Sequence, residues 1–92
     1  MIEVHYTASF DRVFKKLPPS LKDNVEDTAS KVIDLYLCGK RTAGLGITRL
    51  RGPIWEARTD IRIRVVYTLA KNRLTFVLAG SHNDIKNFLK NY

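Results

Sequence analysis

The chain has 92 residues, 45% of them apolar and 27% charged, which suits one modest core and leaves no room for a second. Its formal charge is +7, and no apolar run approaches the roughly 20 residues that a bilayer-spanning helix needs, so a helical membrane protein is excluded. Cys38 is the single cysteine, and His5 and His82 are the two histidines, which rules out an internal disulfide and a zinc cluster of the usual kind. A single domain over residues 1–92 is the expectation. The opening Met-Ile-Glu-Val-His lacks the basic and apolar regions of an export signal, so a cytoplasmic location is expected too.

In chain order, Ile2, Val4 and Tyr6 alternate with Glu3, His5 and Thr7, which predicts a short first strand. Thr7 can cap a helix in which Phe10, Val13, Phe14 and Leu17 make one apolar stripe, and Pro18-Pro19 stops it. A second helix begins near Ser20, keeps Leu21, Val25, Ala29, Val32 and Tyr36 at helical spacing, and ends at Gly39. Cys38, just before that glycine, reads as a packing residue. Lys40 to Ile47, with Gly44 and Gly46, reads as a flexible loop carrying Lys40 and Arg41.

A second strand is expected over Ile54 to Thr59, with Ile54, Glu56 and Arg58 on one face and Trp55, Ala57 and Thr59 on the other. Trp55 therefore belongs with the core. Asp60 turns the chain into a strand from Ile61 to Leu69, whose Ile61, Ile63, Val65, Tyr67 and Leu69 share a buried face while Arg62 and Arg64 rise from the other. Ala70-Lys71-Asn72 returns it through Arg73 to Ala79. Ile85, Phe88 and Leu89 then mark a short closing helix with Asp84 near its positive end. The fold class is α+β: an N-terminal strand and a helical hairpin packed on a small antiparallel sheet, in the order β-α-α-β-β-β, with a short C-terminal helix.

Charge is uneven along the chain. Residues 1–46 carry 7 Lys+Arg against 6 Asp+Glu, whereas residues 47–92 carry 9 against 3, so the second half holds a net +6. Such a local excess suits a nucleic acid, and an acidic protein partner would select for the same surface.

The element order resembles that of the RelE/ParE toxin superfamily of bacterial toxin-antitoxin systems. So do Leu50-Arg51-Gly52, the aromatic-led Trp55-Glu56-Ala57-Arg58, the run Arg62-Ile63-Arg64-Val65-Val66-Tyr67, and Gly80-Ser81-His82-Asn83-Asp84. The likeness spans almost the whole chain. It implies a small toxin neutralised by a cognate antitoxin that wraps it, and in the RelE branch a metal-independent endoribonuclease that cuts mRNA on the ribosome. The ParE branch implies something else, a non-catalytic inhibitor of DNA gyrase. A third implication is an inactive homologue that retains antitoxin binding and operator DNA repression, because fold and function separate easily.

Metal-free cleavage of RNA uses the adjacent 2′-hydroxyl as nucleophile, so it needs a base, an acid for the departing 5′ oxygen, and cations for the phosphorane, with no cofactor. Arg64 matches the family's strand arginine and is expected to stabilise the transition state; Arg58 matches its basic position on the preceding strand. His82 stands where the family places a general acid. Glu56 shares the expected face of Arg58 and is the carboxylate available as base, although the best-known ribonuclease pattern has lysine there. Tyr67 or Tyr92 could supply a phenol, but Tyr67 falls on the core face. Arg49, Arg51, Arg62, Lys40 and Arg41 are the expected holders of flanking phosphates. The plain alternatives are, for Arg58, Arg62 and Arg64, a solvated strand face paired with Glu56 or docking an acidic antitoxin and, for His82, a capping or surface role.

Overall fold

The computed structural model describes residues 2–40 and 43–91. Strand β1 (Glu3–Tyr6) leads into α1 (Ala8–Lys16), followed by α2 (Pro19–Cys38), β2 (Gly46–Arg51), β3 (Ile54–Arg58), β4 (Arg64–Ala70), β5 (Arg73–Gly80) and α3 (His82–Lys90). The α+β class and the helical hairpin are as the sequence implies. The sheet has five strands in the order β1-β5-β4-β3-β2, and it is mixed: β1 lies parallel to β5 and every other pair is antiparallel.

Local chemistry sets the helix ends. The Thr7 hydroxyl accepts a hydrogen bond from the Phe10 amide at 3.1 Å, satisfying one of the orphan donors of α1, and itself donates to the Val77 carbonyl at 3.1 Å. One side chain thus caps α1 and fastens its entry to β5. Pro18 and Pro19 end one helix and start the next, since proline at the first helical position lacks only an N–H that would be unpaired anyway. Gly39 closes α2 at φ 70°, where its amide donates to the Asp34 and Leu35 carbonyls.

The two faces of the sheet carry two cores. Phe10, Val25, Val32, Val65, Tyr67 and Phe76 belong to the larger, beneath α1 and α2, and Trp55 packs against it as expected. On the opposite face Ile54, Val66 and Ile85 make a smaller cluster, joined by Leu50, Leu78, Phe88 and Leu89. Helix α3 therefore covers only part of that face. The remainder, towards Arg64, is not covered by α3.

Three expectations are corrected. Strand β2 occupies Gly46–Arg51, its first two residues in what reads as the end of a loop; it is an edge strand, with a register shift between Arg49 and Arg51 that interrupts its alternation. Strand β4 begins at Arg64 rather than Ile61. Asp60 Oδ1 accepts from the Arg62 amide at 2.7 Å, which keeps that amide out of a ladder, and Ile61 is left 83% exposed in the bend. Cys38, the last residue of α2, is exposed rather than packed.

Candidate nucleic-acid interface

Glu56 on β3 and Arg64 on β4 form the centre of the open face. Pairing of Glu56 with Val66 and of Ala57 with Val65 sets the register, so Arg64 follows one step beyond the last β3–β4 pair and Arg58 stands across from it. Alternation puts Glu56, Arg58, Arg64 and Val66 on the same side, that of α3. The Nη1 of Arg64 lies 3.3 Å from both carboxylate oxygens of Glu56. Their side chains are only 17% and 9% exposed. Arg64 is thus a half-sunken cation whose nearest anion is inside the protein. Its Nε is buried with no hydrogen-bond partner, so the fork is held from one nitrogen only.

Arg58 is exposed, its stem lies beside Gly46 on the neighbouring strand, and it makes no ion pair among the described residues. It lines a cavity of about 350 Å³ with Thr59, Asp60 and Ile61 at the open end of the β3–β4 turn. Of the two strand arginines, Arg58 is the one whose charge is uncompensated.

His82 comes to this region through β5. Gly80 is the ladder partner of Arg64, and His82 follows two residues later as the first residue of α3, exposed. Side-chain hydrogen bonds tie the turn between them. Asp84 Oδ2 accepts from the Ser81 amide and hydroxyl, both at 2.9 Å, while the Ser81 hydroxyl accepts from the Asp84 amide at 3.3 Å, a reciprocal capping box. A Cβ at Gly80 would sit 2.8 Å from Asp84, so glycine is what lets this cap close against the strand.

The flanking cations scatter. Arg62 lies in the bend before β4, not on the strand, and folds back on Asp60 with Nη2 2.8 Å from Oδ2. Hydrogen bonding from the Arg62 side chain and amide draws Asp60 down to a pKa of about 2, and the Arg62 guanidinium is raised in return. Arg49 turns to the side of Trp55, 5.8 Å from its ring centroid, and donates through Nε to the Gly52 carbonyl at 2.7 Å. Beyond the register shift Arg51 reaches α3 instead, donating to the Leu89 carbonyl at 3.3 Å, where cations favour a helix end. Arg51 pairs with Ile54, four residues from Arg58 along β3, a separation on the order of 13 Å. Lys40 is exposed just after α2, and Arg41 and Tyr92 lie outside the described residues. Tyr67 is fully buried, with its hydroxyl 2.9 Å from that of Tyr36, as its core-face position implies.

One residue is new to the site. Thr48 on β2 is paired with Glu56 and exposed, on the same face as Arg58. The sequence reading assigns Thr48 to no element, and the burial along β2, with Thr48 and Arg49 both exposed, offers no clean alternation that would have marked it.

No family model and no curated protein matches this sequence. Solved structures do match. A copper-bound mutant toxin from Helicobacter pylori is similar with a TM-score of 0.72 and 22% identity, over 92% of this chain and 99% of that one. YafQ from Escherichia coli BL21(DE3) gives 0.69 and 16%, over 92% and 98% of the two chains. The chain has a RelE/YafQ-type toxin fold. The RelB–RelE antitoxin–toxin complex of Methanococcus jannaschii is similar in the same way, with a TM-score of 0.68 and 10% identity over 91% of this chain and 96% of the matched one. YafQ has likewise been crystallised in a toxin–antitoxin complex with DinJ. Among the described residues, no helix is long and apolar enough to cross a membrane.

Proposed function

We propose that this chain is the toxin of a type II toxin–antitoxin pair and a metal-independent endoribonuclease that cuts mRNA on the ribosome. The observation that carries the reading is the open part of the α3 face, where Arg58, Arg64 and Glu56 share one side and His82 begins the adjoining helix. Arg58 offers a free guanidinium to the scissile phosphate, and Arg64 offers its Nη2, the nitrogen that is neither held by Glu56 nor the buried Nε, as charge builds on the phosphorane. Glu56 accepts the proton of the 2′-hydroxyl. His82 protonates the departing 5′ oxygen. Exposed Lys40 and Arg58 are free to meet RNA directly; Arg49, Arg51 and Arg62 would first exchange their internal partners, so their contribution to flanking phosphates is smaller than that of a free cation. The partners in this reading are a cognate antitoxin, mRNA and the ribosome, in the cytoplasm, with operator DNA bound by the toxin–antitoxin complex.

A second reading takes support from the Glu56–Arg64 and Asp60–Arg62 pairs, which cancel two cations that a nuclease would use. It is a ParE-like inhibitor of DNA gyrase acting through protein contacts. Expression without the antitoxin separates the two: the nuclease reading expects growth arrest with cuts inside translated messages and unchanged plasmid supercoiling. Intact mRNA with damaged or relaxed DNA would transfer the conclusion to gyrase.

A further inference from the structure

A second hollow lies on the other side of the molecule, between β1, α1 and α2. Its volume is about 470 Å³, and Phe10, Phe14, Val25, Ala29 and Ile33 give it an apolar lining. Tyr6 forms one wall and is 47% exposed. That ring stacks on Phe76, with centroids 5.1 Å apart and planes at 22°, and tilts against Phe10 at 5.4 Å and 50°. The ring is therefore held by two aromatic neighbours while the residue stays half exposed at the edge of the hollow.

Two carboxylates border the same hollow, Asp11 from α1 and Glu26 from α2. Among the described residues neither makes a side-chain ion pair, whereas Glu3, Asp27, Glu56 and Asp60 are all paired. Burial first, and then the charges of Asp11 and Glu26, raise the pKa of the Tyr6 hydroxyl, so both carboxylates act on that ring. In a chain of charge +7, this is a local reversal of sign. Lys22, 5.9 Å from the Phe14 centroid, is the cation already attracted to the aromatic rim.

We propose that this hollow docks a basic amphipathic helix of a partner protein, seating an arginine or lysine between Asp11 and Glu26 over the Tyr6 ring and an apolar neighbour on Phe14 and Ile33. The unneutralised carboxylates select a cation, and the half-exposed Tyr6 ring strengthens that choice. The apolar floor selects a segment with hydrophobic side chains beside the cation, which a free polyamine lacks. Nucleic acid is disfavoured because its phosphates would meet the two carboxylates. The inference stands apart from the nuclease reading, since it uses the opposite face of the sheet.

The test is titration of the ¹⁵N-labelled full chain with a synthetic amphipathic helical peptide of about 15 residues carrying arginines four apart beside its apolar face. The expected result is amide shifts at Tyr6, Phe10, Ala29 and Ile33. Binding should weaken roughly tenfold in Asp11→Asn/Glu26→Gln, and also when the peptide arginines become glutamine, as expected for losing charge-assisted contacts. Circular dichroism should show the double variant folded, because both carboxylates are exposed and make no ion pair among the described residues. Absence of binding, shifts centred on β3 and β4, or equal affinity in the double variant would overturn the proposal. Equal shifts from spermidine at matched concentration would assign the site to a small cation and overturn the partner helix.

Discussion

Replacing Arg64 with alanine removes the counter-charge of Glu56, a carboxylate whose residue is 6% exposed. Breaking a fully buried ion pair destabilises by about 3–5 kcal/mol, and losing a surface pair by about 0–1 kcal/mol. The pair here lies between these limits, with side chains 17% and 9% exposed and one nitrogen spanning both oxygens at 3.3 Å instead of a parallel fork. We therefore expect Arg64→Ala to lose about 2–3 kcal/mol, equivalent to a fall in Tm on the order of 10 °C or more for a domain of this size. Adding Glu56→Gln removes the stranded charge and should restore at least half of the loss, a positive coupling in a double-mutant cycle. Urea denaturation of the four proteins measures all of it. A single variant within about 0.5 kcal/mol of wild type, or strictly additive losses, would refute the claim that the pair is a buried structural unit. The same reasoning makes Arg64→Lys, which keeps a cation beside Glu56 but not the planar fork, the cleaner probe of phosphate binding.

Gly80→Ala forces a Cβ within 2.8 Å of Asp84, so we expect the capping box to open, stability to drop by about 1–2 kcal/mol, and RNA cleavage to fall as His82 moves; wild-type values of both would remove the turn from the account. His82→Gln should slow cleavage by on the order of 10² if His82 transfers a proton, with melting unchanged, and a near-normal rate would dismiss it. Asp60, held at about 2 when folded against an ordinary value of 3.8, supports the bend above pH 4 and releases Arg62 as the pH falls through about 2. An NMR titration of the Asp60 carboxyl should show that low midpoint, and a midpoint near 4 would mean that the Asp60–Arg62 contacts do not persist in solution.

The strongest elements were legible because their burial is one-sided and periodic. Val25, Ala29 and Val32 mark the inner stripe of α2, while Val65 and Tyr67 against Arg64 and Val66 sort β4 into two faces. Thr7, Pro18-Pro19 and Gly39 fix helix ends through chemistry that a few neighbouring residues contain. Strand β2 was not legible, because an edge strand rich in arginine with a register shift shows almost no alternation. The parallel union of β1 with β5 joins Tyr6 to Phe76, a separation no local pattern records. At the site, sequence order placed Glu56, Arg58 and Arg64 on one face. Pairing of a strand arginine with Glu56 was an open alternative, but which one was not legible, since side-chain reach across β3 and β4 gives Glu56 to Arg64 and leaves Arg58 free. Ile61 was misread because a single Asp60 side chain captured the Arg62 amide and delayed the strand.

Chemical analysis of RNA ends tests the central claim most directly. Messages from cells expressing the wild-type chain, compared with Arg64→Lys, should carry new 5′-hydroxyl ends matched to 2′,3′-cyclic phosphates, the products of attack by the neighbouring hydroxyl. Uncut messages in growth-arrested cells, or breaks bearing 5′-phosphates, would contradict it.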